Sequence, residues 1–232
     1  MAAEYYEVDL ANSSIAEKYD RVMNLPPDRS DNAGRVERIR STVEGFHARI
    51  DGLRERRRRA LDIGAGTGVF LSRFVDSTKS AAAQWTAVGI EPDPRAANHL
   101  RSIGKFKVHA GRYDGQREFR DFDLVTLNKV VEHIPEPVSF VKQAAQALSA
   151  KCGIIYIEVP DRLTIGRRPP SDNILGSLHH HLYTPQGLMT LFQLAGLVAL
   201  NIGRVFEPSG KITVYGFAAR EDCMDALSGD RP

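Results

Sequence analysis

The sequence predicts an α/β protein, a mostly parallel sheet with helices packed on both faces. Three observations carry that expectation. Short apolar runs alternate with amphipathic helical stretches from residue 60 to about 220, and alternating β and α units build parallel sheets. The run DFDLVTLN crowds its apolar residues as a strand buried on both faces does. The last two strand-like runs are joined through PSG with no helix between them, so one strand must run antiparallel.

Residues 1–59 read differently from the rest. SSIAEKYDRVMN places Ile15, Tyr19 and Val22 on one helical face, with Ser13 or Ser14 as a cap. NLPPDRSD then breaks the pattern with two prolines. In a second helix Val36, Ile39, Val43 and Phe46 recur at three- and four-residue steps. The segment reads as a helical cap or lid with no sheet of its own.

Residues 60–220 read as the main domain. ALDI opens the sheet and GTGVFLSRFV follows as a helix. WTAVGIE is a strand, and PDPRAANHLRSIG is a helix ending at Gly104. FKVHA and DFDLVTLN are strands, and PEPVSFVKQAAQALSA is a helix with Val138, Val141, Ala145 and Leu148 on one face. After the strand GIIYIEV, TPQGLMTLFQLAG carries Thr184 as N-cap, Pro185 at the first helical position and Gly196 just past the end. Its buried face is Leu188, Leu191, Phe192 and Ala195. LVALNIGRVFE and KITVYGFAAR complete seven strands. Residues 221–232 read as a loose tail.

The chain has 232 residues, 42% hydrophobic and 26% charged, with a formal charge of +2. That suits one domain with a sizeable core, and is too balanced to argue for nucleic-acid binding on charge alone. The basic run RERRRR at 54–59 reads as cations at a helix C-terminus before the first strand, with no basic stripe of interleaved aromatics elsewhere. Cys152 and Cys223 stand far apart in sequence, with neither disulfide-framework nor zinc spacing. The start MAAEYYEVDL is acidic and lacks an apolar signal core, and no apolar run reaches membrane-spanning length. The expectation is a cytoplasmic protein without a membrane span.

LDIGAGTGVF holds glycine at 64, 66 and 68. In such sheets ligands bind beyond the carboxyl ends of the strands, and the loop after the first strand is the usual place. Glycines there let backbone approach a ligand and turn into a helix whose N-terminal amides suit an acceptor or anion. A dinucleotide loop wants G-x-G-x-x-G, but position 69 is valine; a phosphate loop would end in Gly-Lys-Ser/Thr, which is absent. The second strand ends in GIEPDP, with Glu91 at its tip. A carboxylate there can accept both hydroxyl hydrogens of a ribose; its competing reading is a cap for the helix that follows.

LDIGAGTG followed by GIEPDP resembles the first two motifs of the class I S-adenosylmethionine-dependent methyltransferases. DLVTLNKVVEHIPEP resembles that family's segment after the fourth strand, GIIYIEVPD its fifth strand, and HHHLYTPQGLMTLFQLAGL the region before the sixth in members acting on sugars and other small molecules. The resemblance covers roughly 60–220 and implies a Rossmann-like fold. It implies that Gly64, Ala65, Gly66 and Gly68 face the cofactor's methionine portion, with Asp62 orienting the loop or the cofactor's amino group. It implies Glu91 on the ribose hydroxyls, Pro92 against the adenine, Tyr113 and Asp114 where the family holds the adenine, and Asn128 and Lys129 along the methionine end. S-adenosylmethionine would be the cofactor and S-adenosylhomocysteine the product.

In-line attack on a sulfonium methyl requires a nucleophile held about 3 Å away, and a hydroxyl or ammonium acceptor must also lose a proton. His133, just past the fourth strand, is the first candidate base, against a structural role in the loop. His179, His180 and His181 are the second group. Consecutive residues point in different directions, so the three do not share one metal; His181 is taken as catalytic, His179 and His180 as substrate-binding, and no metal is expected. Arg162, Arg167 and Arg168 are candidates to grip a phosphate or carboxylate on the acceptor. The reading is methyl transfer to an oxygen or nitrogen of a small polar metabolite, a sugar or nucleotide-linked sugar. Its rivals are a nucleotide-dependent oxidoreductase, a non-catalytic scaffold of the same fold and a methyltransferase acting on RNA or protein.

Overall fold

The computed structural model describes residues 14–50, 57–79, 84–169 and 179–228. Its frame is a seven-stranded sheet in the order β3-β2-β1-β4-β5-β7-β6. The strands are β1 (Arg58–Ile63), β2 (Trp85–Glu91), β3 (Lys107–Ala110), β4 (Leu124–Asn128), β5 (Ile154–Pro160), β6 (Val198–Phe206) and β7 (Ile212–Ala219). β1 to β5 pair in parallel, and β7 runs antiparallel to both its neighbours. This is the mostly parallel α/β sheet with one antiparallel strand that the element order predicts.

The helices are α1 (Ile15–Met23), α2 (Asp31–His47), α3 (Val69–Ser77), α4 (Pro94–Ile103), α5 (Pro137–Ala145), α6 (Pro185–Leu194) and α7 (Glu221–Ser228). Their ends follow from local chemistry. Ser14 and Glu17 form a reciprocal capping box at α1. Asp93 caps α4, which stops at Gly104 in the left-handed region. Thr184 accepts the Gly187 amide at 3.0 Å to start α6. The buried face of α6 is Leu188, Leu191 and Phe192, with Ala195 just beyond its end.

Side chains alternate across the sheet with period two. Leu61, Ile63, Val125, Leu127, Ile155 and Ile157 join the core under α5 and α6. Ala60, Leu124, Ile154 and Tyr156 join the opposite core under α2 and α3. The same alternation turns Asp62, Thr126, Asn128 and Glu158 toward the second face, at the carboxyl ends of their strands. A one-residue slip in any strand would put these polar groups in the other core.

Three findings differ from the sequence expectations. First, α2 is a layer of the domain: Val36, Ile39 and Val43 pack in one cluster with Ala60, Phe70 and Phe74, so the core crosses the boundary drawn at residue 59. Among the described residues of that segment, α1 and the turn Pro27–Arg29 have no buried residue. Second, the expected loose tail begins with α7, and Cys223 on it is 1% exposed in a small cluster with Cys152, Ile50 and Ala219. The two cysteines, 71 positions apart in sequence, meet because α7 folds back against the start of β5; burial and Cys152 push the Cys223 thiol well above its ordinary value. Third, Arg58 and Arg59 already belong to β1 and lie over the Trp85 and Phe122 rings at 5.6 and 4.3 Å; residues 54–56 of that basic run lie outside the described residues. Tyr5 and Tyr6, which fall in the expected lid, also lie outside them.

Candidate active site

Strand order reverses between β1 and β4, which opens a crevice at their carboxyl ends. The glycine loop leaves β1 there. Gly64, Gly66 and Gly68 have φ of +78°, +55° and +81°, the left-handed region that glycine enters without strain. They do different jobs beyond that. A Cβ on Gly68 would strike Leu100 Cδ2 at 2.4 Å, so this glycine lets α3 and α4 close together. A Cβ on Gly66 would meet nothing within 4 Å. Gly66 is therefore not demanded by protein packing and borders open space. Its amide donates to Glu91 Oε2 at 2.7 Å.

Glu91 sits 7% exposed at the tip of β2. Its Oε1 accepts the Asp93 amide at 2.9 Å, whereas Asp93 itself caps α4. The helix-cap reading of Glu91 thus falls to its neighbour, and Glu91 ties the turn to the glycine loop. A carboxylate has about four acceptor sites, so two remain for a ligand.

Across the crevice Asp62 Oδ1 accepts from Thr126 Oγ1 at 2.6 Å and Asn128 Nδ2 at 2.9 Å. Burial pushes the Asp62 carboxyl up to about 6, although both donors favour its ionised form. Asn128 Oδ1 is buried and has no hydrogen-bond partner. An orphan acceptor beside a buried carboxyl is a site for a donor cation such as an ammonium. Lys129 adopts φ +57° and turns away: its Nζ donates to Thr213 Oγ1 at 2.7 Å and lies 3.4 Å from Glu158 Oε1.

Pro92 is exposed beside Glu91. Tyr113 is turned into the core: it packs against Phe119 and Phe140, and its hydroxyl donates to the Gln143 carbonyl at 2.9 Å. Asp114 is exposed, its amide bound to Gln116. The side chain at 113 therefore serves packing.

A single 3-10 turn, Val131–His133, follows β4. His133 is exposed and Glu132 is 1% exposed. The segment before α6 hangs from this turn: the His180 and His181 amides donate to the Glu132 carbonyl at 2.8 and 3.4 Å, and the His181 ring bonds the Pro135 carbonyl at 3.1 Å. The His133 and His179 rings meet edge to face at 4.6 Å. Arg162 is exposed, Arg167 lies over the exposed Phe206 ring at 5.6 Å, and Arg168 is half-buried. Residues 170–173 of that segment lie outside the described residues.

Sequence reasoning missed a buried ion network beside this rim. Glu158, fully buried at the end of β5, is gripped by Arg35 through two nitrogens and by Arg38 Nη2 at 3.0 Å. The Tyr156 hydroxyl donates to it at 2.6 Å. Burial opposes its charge, but Arg35 and Lys129 hold the carboxyl far below the usual carboxylate range. The strand GIIYIEV carried the only signal, a glutamate one residue before its end.

A family model described as a methyltransferase domain matches residues 35–202. The ubiquinone biosynthesis O-methyltransferase of Escherichia coli O127:H6 is 29% identical over 97 residues, a match covering 38% of this chain and 38% of that protein. Among solved structures, the plantazolicin methyltransferase BamL, in complex with a triazolic desmethylPZN analog and SAH, superposes with a TM-score of 0.63 at 13% identity, covering 94% of each chain. The magnesium protoporphyrin IX methyltransferase ChlM of Synechocystis PCC 6803 with bound SAH gives 0.58 at 13% identity, covering 89% of this chain and 94% of that one. These structures share the fold, and the family match runs from α2 through β6. The chain belongs to the family of methyltransferase domains.

Proposed function

We propose that the protein transfers a methyl group from S-adenosylmethionine to an oxygen or nitrogen of a small polar metabolite, a sugar or nucleotide-linked sugar. The observation that carries the cofactor reading is the pairing of Gly66 with Glu91. An open backbone position and a buried carboxylate with spare acceptor capacity face one crevice. Glu91 would hold the ribose hydroxyls. Asp62 and the orphaned Asn128 oxygen would hold the amino group, and the glycine loop would pass under the methionine portion. When bound, the cofactor supplies an electrophilic methyl on a sulfonium.

This chain's residues then have to seat the acceptor and take its proton. His133 is exposed in the turn after β4, where it would meet an acceptor entering the crevice, and an imidazole suits proton transfer near neutral pH. His180 and His181 sit on the segment docked against it. Arg162, Arg167 and Arg168 lie in the turn after β5, where they would bind a phosphate or carboxylate on the acceptor; this placement supports an anionic metabolite.

Thermal unfolding with S-adenosylmethionine, S-adenosylhomocysteine and NADH in parallel tests the reading. A ligand at 100 times its Kd adds about 2.7 kcal/mol. Stabilisation by the two sulfur ligands alone is the expected result, and Glu91→Ala should abolish most of it while leaving the unliganded Tm within a few degrees. Stabilisation by NADH alone would overturn the proposal.

A further inference from the structure

The sequence expectation of no metal rests on three consecutive histidines, which diverge. The fold brings one of them to a different pair. Glu132 and His133 come from the turn after β4, and His179 comes from the segment before α6. One ligand atom from each lies within 4.8 Å of the other two. The segment carrying His179 is anchored to this turn through the Glu132 carbonyl, so the cluster is built by the backbone as well as by its side chains.

The state of Glu132 is the second observation. The side chain is 1% exposed, yet its Oε2 has no hydrogen-bond partner. The Tyr183 hydroxyl, on the same segment, is likewise buried without a partner. A buried carboxylate oxygen left unsatisfied is costly; Lys129 and Arg35 favour its charged form through space, but neither donates a hydrogen bond to it. Lys129, the cation that Glu132 feels most, is committed to Thr213 and Glu158.

We propose that Glu132, His133 and His179 form a binding site for one divalent transition-metal ion, with an open coordination position facing the acceptor crevice. Two imidazoles and one carboxylate are a donor set for zinc, manganese, iron or cobalt rather than for magnesium or calcium, which prefer all-oxygen sites. Metal bonds of about 2.0–2.2 Å require the three ligand atoms to draw closer, which the exposed His133 can do by rotating. Three protein ligands with a vacant fourth position are the pattern of catalytic sites. An acceptor hydroxyl entering that position would be oriented and would release its proton more readily to solvent, with His133 then acting as ligand in place of the base role. This consequence rests on the methyl-transfer reading; the ion site itself does not.

The test uses the full chain, stripped with chelator and dialysed. Zn²⁺ is titrated calorimetrically, and Co²⁺ is added as a visible-absorption probe of coordination. One ion per chain is expected, with Co²⁺ bands of a low-coordinate nitrogen–oxygen site. His133→Ala, at an exposed position, and Glu132→Gln should each weaken Zn²⁺ binding by more than the roughly 10–100-fold typical of changes outside the ligand shell. His180→Ala should leave binding intact. Binding that survives both ligand variants would place the ion on the histidine run alone and overturn the proposal, as would no binding at all. S-adenosylhomocysteine stabilisation, measured on the same samples, keeps the two readings apart. Its loss with Zn²⁺ binding retained overturns methyl transfer and leaves the ion site standing; the reverse pattern overturns only the ion site.

Discussion

The Asp62 carboxyl is a single residue held at a cost in stability. It is 1% exposed at the end of β1, and burial pushes it up from 3.8 to about 6. Well below pH 3.8 it is protonated in both folded and unfolded chains and costs nothing. As pH rises from about 4 to 6 the unfolded chain ionises first, so stability falls, and the loss is complete above the folded-state value. At about 1.4 kcal/mol per pH unit of displacement, the cost reaches about 3 kcal/mol near neutrality. Asp62→Asn keeps an acceptor for Thr126 and Asn128 while removing the charge. Urea unfolding of the ligand-free proteins should show nearly equal stability at pH 3.5 and a more stable variant at pH 7.5, with weaker S-adenosylmethionine binding. A variant no more stable at pH 7.5 would mean that Asp62 is satisfied as it stands. The same residue was readable from sequence because it precedes the glycines in a strand-end motif; its hydrogen bonds to Thr126 and Asn128 were not, because they depend on β4 lying beside β1.

At the scale of elements, the join between α2 and β5 is the least expected feature. Arg35 and Arg38 interrupt an apolar pattern of Val36, Ile39 and Val43, and a charged position in an amphipathic helix ordinarily reads as solvent-facing. Glu158, 123 residues beyond Arg35, turns that face inward. The strands, caps and glycine loop were legible because each is written in consecutive residues; the Arg35–Glu158 pair and the His133–His179 ring contact were not, because each joins segments through the sheet order. Removing one member of a buried pair strands the other charge and costs about 3–5 kcal/mol, whereas replacing both with apolar groups costs far less. Urea midpoints should therefore show a large loss for Glu158→Leu, a smaller loss for Arg35→Met because Arg38 and Lys129 still face Glu158, and a double variant much more stable than the sum of the two. Additive losses would show that the pair is not an energetic unit. Because Glu158 is held so far below its unfolded value, its contribution should persist from neutral pH down through pH 5 and be lost only in stronger acid.

Over the whole molecule, α1 stands apart from this tightly joined frame. It has nine residues, none buried, and a helix that short is marginal by itself. What holds it is polar: the Tyr19 hydroxyl donates to Ser72 Oγ at 3.0 Å, the Tyr19 ring meets His99 at 5.2 Å, and Arg73 Nη2 donates to the carbonyls of Val22, Met23 and Leu25. Ser72 and Arg73 lie in the first turns of α3, which begins at the glycine loop. A ligand that orders this loop should therefore order α1, the part of the expected lid that the core does not claim. Regions with few apolar contacts open locally at little free energy. Hydrogen exchange of the free protein should show the amides of residues 18–23 unprotected relative to the Val36–Val43 stretch of α2. Saturating S-adenosylhomocysteine should slow them by about tenfold or more. Arg73→Met, which removes the donor to three carbonyls at the end of α1, should erase most of that slowing while the α2 amides keep theirs. If ligand leaves residues 18–23 exchanging at the free rate, α1 is a fixed ornament of the helical layer and does not close over the crevice.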